Sequence, residues 1–182
     1  MRIISGKYKG RNIMGYAIDG TRPTMDRVRE SLFAMLGETV KDAHCLDLFA
    51  GSGALGLEAL SNGGASCVFV DHNSKVITTL KENCQKLKVE ESIRFLQKDY
   101  LTALNQLERE QEQFDLVFLD PPYQEHLLNS ALQYLLESSL LSPKAVIVCE
   151  SEGEVYTCSC SIWKERTYGS KVLRLYKITE GK

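Results

Sequence analysis

His44-Cys45-Leu46-Asp47-Leu48-Phe49-Ala50-Gly51-Ser52-Gly53-Ala54-Leu55-Gly56 is the stretch that decides the fold. An apolar run reaches Asp47 and passes into a GxGxxG turn, after which Ala54 to Ser61 takes helical spacing. Glycine lets the backbone turn tightly and approach a ligand without a Cβ in the way, and the helix that follows offers amide donors with no partner of their own. Between a strand and a helix this pattern suits an adenosyl cofactor. Asp71 closes the next apolar run about 20 residues beyond Gly51, where a carboxylate accepts from both hydroxyls of a ribose.

Outward from this turn, apolar runs alternate with amphipathic stretches, the mark of strands joined by crossover helices. His44 to Ala50, Cys67 to Asp71, Ile93 to Gln97, Phe114 to Asp120 and Ala145 to Glu150 read as five buried parallel strands. Ala54 to Ser61, Ser74 to Leu87, Leu101 to Glu110 and Glu125 to Leu136 read as the helices between them; Val76, Leu80, Cys84 and Leu87 form one apolar stripe. Thr24 to Leu36 reads as a further helix, entered through Arg22-Pro23, with Val28, Leu32, Met35 and Leu36 on its core face. Ser161 to Tyr168 and Lys171 to Ile178 flank Gly169-Ser170 as a closing antiparallel hairpin, and residues 1 to 14 suit a small N-terminal hairpin. The expected fold is therefore an α/β domain with a mostly parallel, seven-stranded sheet, and 1–182 form a single domain.

Asp120-Pro121-Pro122-Tyr123 follows the fourth strand directly. Two prolines stiffen the turn and remove two backbone donors, so Asp120 and the Pro121 carbonyl can converge on one external donor, such as the exocyclic amine of a nucleobase. Tyr123 supplies a flat face for that base. Asp47 can hold a ligand ammonium group or bond the amides of its own turn. Asp99 can accept from an adenine amino group or simply cap a helix.

The chain is 182 residues long, 43% apolar and 25% charged, which is ordinary for one soluble domain. No run is long and apolar enough for a membrane span, the opening residues have no signal-peptide core, and a cytoplasmic location is expected. Six cysteines (Cys45, Cys67, Cys84, Cys149, Cys158 and Cys160) lack the spacing of a zinc site and read as reduced thiols, so no metal is expected. The net charge of −2 hides an uneven distribution. Up to residue 29 the chain carries Arg2, Lys7, Lys9, Arg11, Arg22, Arg27 and Arg29 against Asp19 and Asp26 alone, a local footprint for a polyanion on an acidic body. The glycine turn with Asp71 fits an S-adenosylmethionine enzyme or a nicotinamide enzyme; a nicotinamide enzyme leaves Asp120-Pro121-Pro122-Tyr123 without a use, and a silent RNA-binding module leaves both motifs without one.

Together the Asp47 to Gly56 turn, Asp71, Asp99 and Asp120-Pro121-Pro122-Tyr123 resemble a class I S-adenosylmethionine-dependent amino-methyltransferase. The opening Arg2-Ile3-Ile4-Ser5-Gly6-Lys7-Tyr8-Lys9-Gly10-Arg11, with Arg22-Pro23-Thr24 and Asp26-Arg27-Val28-Arg29-Glu30-Ser31-Leu32-Phe33, resembles the bacterial 16S ribosomal RNA guanine-N2 methyltransferase family called RsmD. The resemblance spans nearly the whole chain. It implies a Rossmann-like class I methyltransferase fold, S-adenosylmethionine as cofactor, and 16S ribosomal RNA or the 30S subunit as partner, with adenine-N6 methylation of DNA or RNA as the nearest alternative. The implied catalytic set is Asp120, Pro121, Pro122 and Tyr123. The implied cofactor set is Asp47, Phe49, Ala50, Gly51, Ser52, Gly53, Gly56, Asp71, His72, Asp99 and Tyr100. Lys7, Lys9, Arg11, Arg22, Arg27 and Arg29 make residues 1–30 a basic RNA-binding extension. His72 and His126 are not expected as bases, because the chemistry requires no imidazole. Small size favours a monomer.

Overall fold

The computed structural model describes residues 1–15, 22–122, 125–152 and 160–179. Its element order is α1 (Arg22–Leu36), a 3-10 turn (Gly37–Val40), β1 (His44–Asp47), α2 (Ala54–Ser61), β2 (Ser66–Asp71), α3 (Ser74–Leu87), β3 (Ser92–Gln97), α4 (Tyr100–Arg109), β4 (Phe114–Leu119), α5 (Glu125–Glu137), β5 (Leu141–Glu152), β6 (Ile162–Tyr168) and β7 (Lys171–Lys177). The strands form one sheet in the order β3-β2-β1-β4-β5-β7-β6. β1 to β5 run parallel, and the β6-β7 hairpin adds two antiparallel strands beyond β5.

Alternate residues of each strand supply two cores. Cys45, Phe69, Leu116, Phe118, Val146 and Val148 face α1, α2 and α3 through Leu32, Phe33, Leu57, Leu60 and Leu80. Leu46, Val68, Val70, Val117, Leu119 and Ile147 face α4 and α5 through Leu104, Leu107, Leu128, Leu132 and Leu135. Burying one such side chain contributes about 1.5 to 3 kcal/mol, and strands buried on both faces read as unbroken apolar runs for this reason. Cys45, Cys67, Cys84 and Cys149 are buried free thiols, as the sequence suggests. Cys160 departs from that expectation, being disulfide-bonded; Cys158 lies outside the described residues. Among the described residues no helix is long and apolar enough to cross a membrane.

The N-terminal hairpin is present as an antiparallel pairing around Arg2 and Asn12. Ile3 donates to the Arg11 carbonyl at 3.0 Å and Ile13 to that of Met1 at 2.9 Å. The hairpin lies along α2 and α3, and a buried carboxylate holds it there. Glu58 of α2 is fully buried, and its oxygens accept from the Ile4 amide (3.0 and 3.1 Å), the Ser5 amide (2.7 Å) and the Ser5 hydroxyl (2.9 Å). Asn83 of α3, also fully buried, accepts from the Met14 amide at 2.7 Å and donates to the Met14 carbonyl at 2.7 Å and the Ser52 carbonyl at 3.1 Å. It ties the end of the hairpin to the glycine turn. Replacing Glu58 with alanine leaves those donors unsatisfied, so Glu58→Ala is expected to lower the unfolding free energy by about 3 kcal/mol. Urea denaturation measures that loss, and limited proteolysis should cut residues 1 to 14 faster than in the parent protein.

Candidate active site

The strand order reverses direction between β1 and β4, which places the ends of these two strands side by side, with Asp47 in register with Phe118. Open α/β sheets bind ligands at such a reversal, beyond the carboxyl ends of the strands. The glycine turn leaves β1 there, and Asp120 leaves β4 beside it.

Each end of the turn is held by a carboxylate. Asp47, 2% exposed, accepts from the Gly56 amide at 3.0 Å. Burial pushes its carboxyl up to about 7, against the pull of the Gly56 hydrogen bond, and the charge on Asp71 adds to the rise. Of the two roles open to Asp47, bonding the amides of its own turn is the one realised within the protein. Asp71 accepts from the Gly51 amide at 3.2 Å and the Asn73 amide at 2.9 Å. The turn also needs its glycines. Gly53 has φ 79°, and a Cβ on it would sit 2.0 Å from the Leu80 Cδ1; a Cβ on Gly56 would sit 2.3 Å from the Phe69 ring. Over Gly51, by contrast, the space is open.

The remaining members of the expected cofactor set line the same edge. Ala50 is buried and donates its amide to the Val70 carbonyl at 2.9 Å. Ser52 directs its hydroxyl towards the Met1 sulfur at 3.6 Å. Phe49 and Tyr100 are half-buried, with ring centroids 5.7 Å apart. Asp99 caps α4, accepting from the Thr102 amide at 3.0 Å and hydroxyl at 2.6 Å; these bonds hold its carboxyl below the usual range. His72 is exposed, its ring 3.8 Å from Asp71.

Asp120 retains solvent contact on one side, while the sheet edge crowds the other. That crowding raises its carboxyl above the ordinary range; the negative charge of Glu150 adds to the rise, Lys171 opposes it, and Asp47 contributes a further rise. Pro121 is half-buried and Pro122 exposed. Tyr123 lies outside the described residues.

Of the basic residues, Lys7, Lys9, Arg11 and Arg27 are exposed and Arg29 is buried. α2 runs from the glycine turn towards the amino-terminal ends of the strands, and the hairpin turn meets its far end: the Lys7 amide donates to the Ser61 carbonyl at 2.7 Å and the Tyr8 amide to the Ser61 hydroxyl at 2.9 Å. Lys7 pairs with Glu90 at 2.6 Å and Glu91 at 3.3 Å, and the Glu90 bond holds its ammonium above the usual range. Arg11 donates to the Leu87 carbonyl at 2.7 Å. Arg29 is no surface residue at all: it is 6% exposed and bonds the Asp26 carboxylate and the Arg2 carbonyl, each at 2.8 Å. Its place on the buried stripe of α1 beside Val28 and Leu32 explains the difference from expectation. Lys9 and Arg27 are exposed. The side chain of Arg22 lies outside the description.

Sequence reasoning passed over Asn83, Glu58 and Glu150. Asn83 carried a signal, since a polar residue stands on the stripe Val76, Leu80, Cys84 and Leu87 where an apolar one belongs. Glu58 carried the same kind of signal within an otherwise buried helix.

Residues 1–177 match the family described as Conserved hypothetical protein 95. Two proteins named Ribosomal RNA small subunit methyltransferase D match over 181 residues and 97% of this chain: that of Haemophilus influenzae at 39% identity, covering 93% of its length, and that of Escherichia coli K12 at 36%, covering 89%. The chain belongs to the RsmD methyltransferase family. The solved structure of yhhF from Escherichia coli superimposes on this RsmD-family chain with a TM-score of 0.88 at 37% identity, covering 100% of this chain and 99% of that one. The RNA methyltransferase of Salinibacter ruber, solved with S-adenosyl-L-homocysteine, shares the class I methyltransferase fold at a TM-score of 0.65 and 17% identity, over 86% of this chain and 93% of that one.

Asp47 yields a stability prediction with a definite sign. Its folded carboxyl titrates near 7 against an ordinary value of 3.8, so the folded state binds this proton more tightly and stability falls as pH rises between those values. An asparagine side chain in its place keeps an acceptor for Gly56 without the charge. Asp47→Asn is therefore expected to melt higher than the parent at about pH 8, by several degrees, with the gap narrowing towards about pH 5, as read by differential scanning calorimetry.

Proposed function

We propose that this chain transfers a methyl group from S-adenosylmethionine to the exocyclic N2 of a guanine in 16S ribosomal RNA. The observation that carries the reading is the meeting, on neighbouring strand ends, of a glycine turn pinned by Asp47 and Asp71 with an Asp-Pro-Pro turn beginning at Asp120. The names of the family relatives favour ribosomal RNA of the small subunit, and the Salinibacter neighbour bound to S-adenosyl-L-homocysteine favours the cofactor.

The residues present fit that cofactor. Open space above Gly51 admits a ligand, and each Asp71 oxygen has a second lone pair for a ribose hydroxyl. Phe49 and Tyr100 would offer an aromatic wall for adenine, Asp99 would accept from its amino group, and Asp47 would hold the methionine ammonium. When bound, S-adenosylmethionine supplies an electrophilic methyl on a sulfonium whose leaving group is a neutral thioether, so the chain need provide no acid. Asp120 and the Pro121 carbonyl accept from the amine and turn its lone pair, otherwise delocalised into the ring, towards the methyl, and the proton that the methylated nitrogen then gives up passes to Asp120 or to water. Tyr123 stacks the base, a contact worth about 1 to 3 kcal/mol. Positioning of the two reactants contributes up to about 7 to 11 kcal/mol and carries most of the catalysis. A cationic ligand beside Asp120 favours its ionised, accepting form.

The base must leave its stack to reach this edge. In this reading residues 1–182 act as one domain and as a monomer, and 1–30 form an extension in which Arg27 and Lys9 meet phosphates, while Lys7, Arg11 and Arg29 brace the segment.

Mass spectrometry of 16S RNA methylated in vitro, on 30S subunits from a strain lacking the gene, tests the reading. One N2-methylguanosine is expected, and N6-methyladenosine in its place would overturn it. Asp120→Ala should reduce transfer roughly a hundredfold or more while calorimetry finds S-adenosylmethionine affinity little changed; equal loss of both contradicts the assigned role. Arg27→Ala should weaken RNA binding and lower the salt-dependence slope by about 1, with cofactor affinity unaffected.

A further inference from the structure

One acidic residue at the catalytic edge takes no part in the clamp formed by Asp120 and Pro121. β4 and β5 are parallel neighbours with Leu119 in register with Cys149, and one step further that register sets Asp120 beside Glu150. Adjacent strands lie about 4.8 Å apart and in-register side chains share a face, so two carboxylates stand next to one another where the base must dock. Asp120 is affected by the charge of Glu150, which agrees with that closeness. Glu150 is held from the other side: Lys171, the first residue of β7, donates to its Oε1. The Glu150 side chain keeps 16% of its surface exposed, so it has lost most of its freedom without being sealed from a ligand.

The edges of guanine and adenine differ at the atom beside the reacting amine. In guanine the N2 amine adjoins N1–H, a donor. In adenine the N6 amine adjoins N1, a bare acceptor. A carboxylate ion-paired to a lysine offers acceptors only. Placed next to Asp120, it completes a pair of acceptors for the two adjacent donors of guanine, and it sets lone pair against lone pair for adenine. We propose that Glu150, fixed by Lys171, is a specificity-determining residue that accepts from guanine N1–H and rejects adenine. The inference rests on the guanine-N2 reading and deepens it, since the Asp120 and Pro121 acceptors by themselves serve either amine.

The test uses 2-aminopurine, which has the same exocyclic amine but a bare N1. The full-length protein is assayed on reconstituted subunits whose 16S RNA, assembled by splinted ligation, carries either guanine or 2-aminopurine at the position mapped by mass spectrometry. The parent protein is expected to favour guanine in kcat/KM by at least about tenfold. Glu150→Gln, whose amide can turn to donate to a bare N1, should bring that preference to within roughly threefold while leaving S-adenosylmethionine affinity unchanged. A residue that only supports the fold would lower both substrates together and keep their ratio. Equal rates of the parent on the two bases would overturn the assignment without any variant, which keeps the test decisive should Glu150→Gln fail to fold. An unaltered ratio in a folded Glu150→Gln protein would overturn it as well. A parent protein inactive on the mapped guanine would instead overturn the underlying reading, an outcome visible before any analogue is used.

Discussion

A short turn between β1 and α2 must be held open against its own helix, and two carboxylates do this. Asp47 takes the Gly56 amide from within, and Asp71 takes the Gly51 amide from the neighbouring strand. Amides in the first turn of a helix lack intrahelical partners, and buried ones left unpaired are costly. Satisfying the Gly56 amide of that first turn, and the Gly51 amide of the loop before it, with side chains fixes the turn without filling the space above it. The order of the sheet then matters: because β4 follows β1 in space, the same edge that carries this turn carries Asp120.

Negative charge accumulates along that edge. Asp47, Asp71, Asp120 and Glu150 all lie at the ends of β1, β2, β4 and β5, with Lys171 as the cation that the described residues place among them. Burial first, and the neighbouring carboxylates after it, raise the proton affinity of Asp47 and Asp120, and a cationic ligand at this edge lowers it again. A sulfonium that also bears an ammonium group is a ligand of this kind, whereas a dinucleotide with its pyrophosphate is not. The charge pattern thus favours one of the two cofactor classes that a glycine turn alone leaves open.

The N-terminal hairpin joins this site to the rest of the chain through uncharged and charged anchors of opposite character. Glu58 gathers the amides of Ile4 and Ser5 at the middle of α2, and Asn83 spans Met14 and Ser52 beside the glycine turn. Both are fully buried with their hydrogen bonds made, the condition under which buried polar groups specify one arrangement. Several positive charges near the start of the chain serve the same attachment: Lys7 meets Glu90 and Glu91, Arg2 meets Asp26, and Arg29 donates to the Arg2 carbonyl. Charge counting along a sequence cannot separate such internal pairs from a surface for RNA.

What the sequence determined by itself was whatever depends on local periodicity and short-range chemistry. The apolar runs marked every parallel strand, helical spacing marked α2 to α5, Gly169-Ser170 marked the final hairpin, and the two motifs marked the turns that leave β1 and β4, because strand, helix and turn preferences are written within a few residues. Only the tertiary structure decided which long-range pairs form. Arg29 turns inward to the Arg2 carbonyl, Asn83 spans Met14 and Ser52, and Glu150 comes to stand beside Asp120 although 30 positions separate them in the chain. These outcomes depend on which strands lie side by side and which faces are covered, and on the cost of burying a charge without a partner, none of which is set by neighbours in sequence.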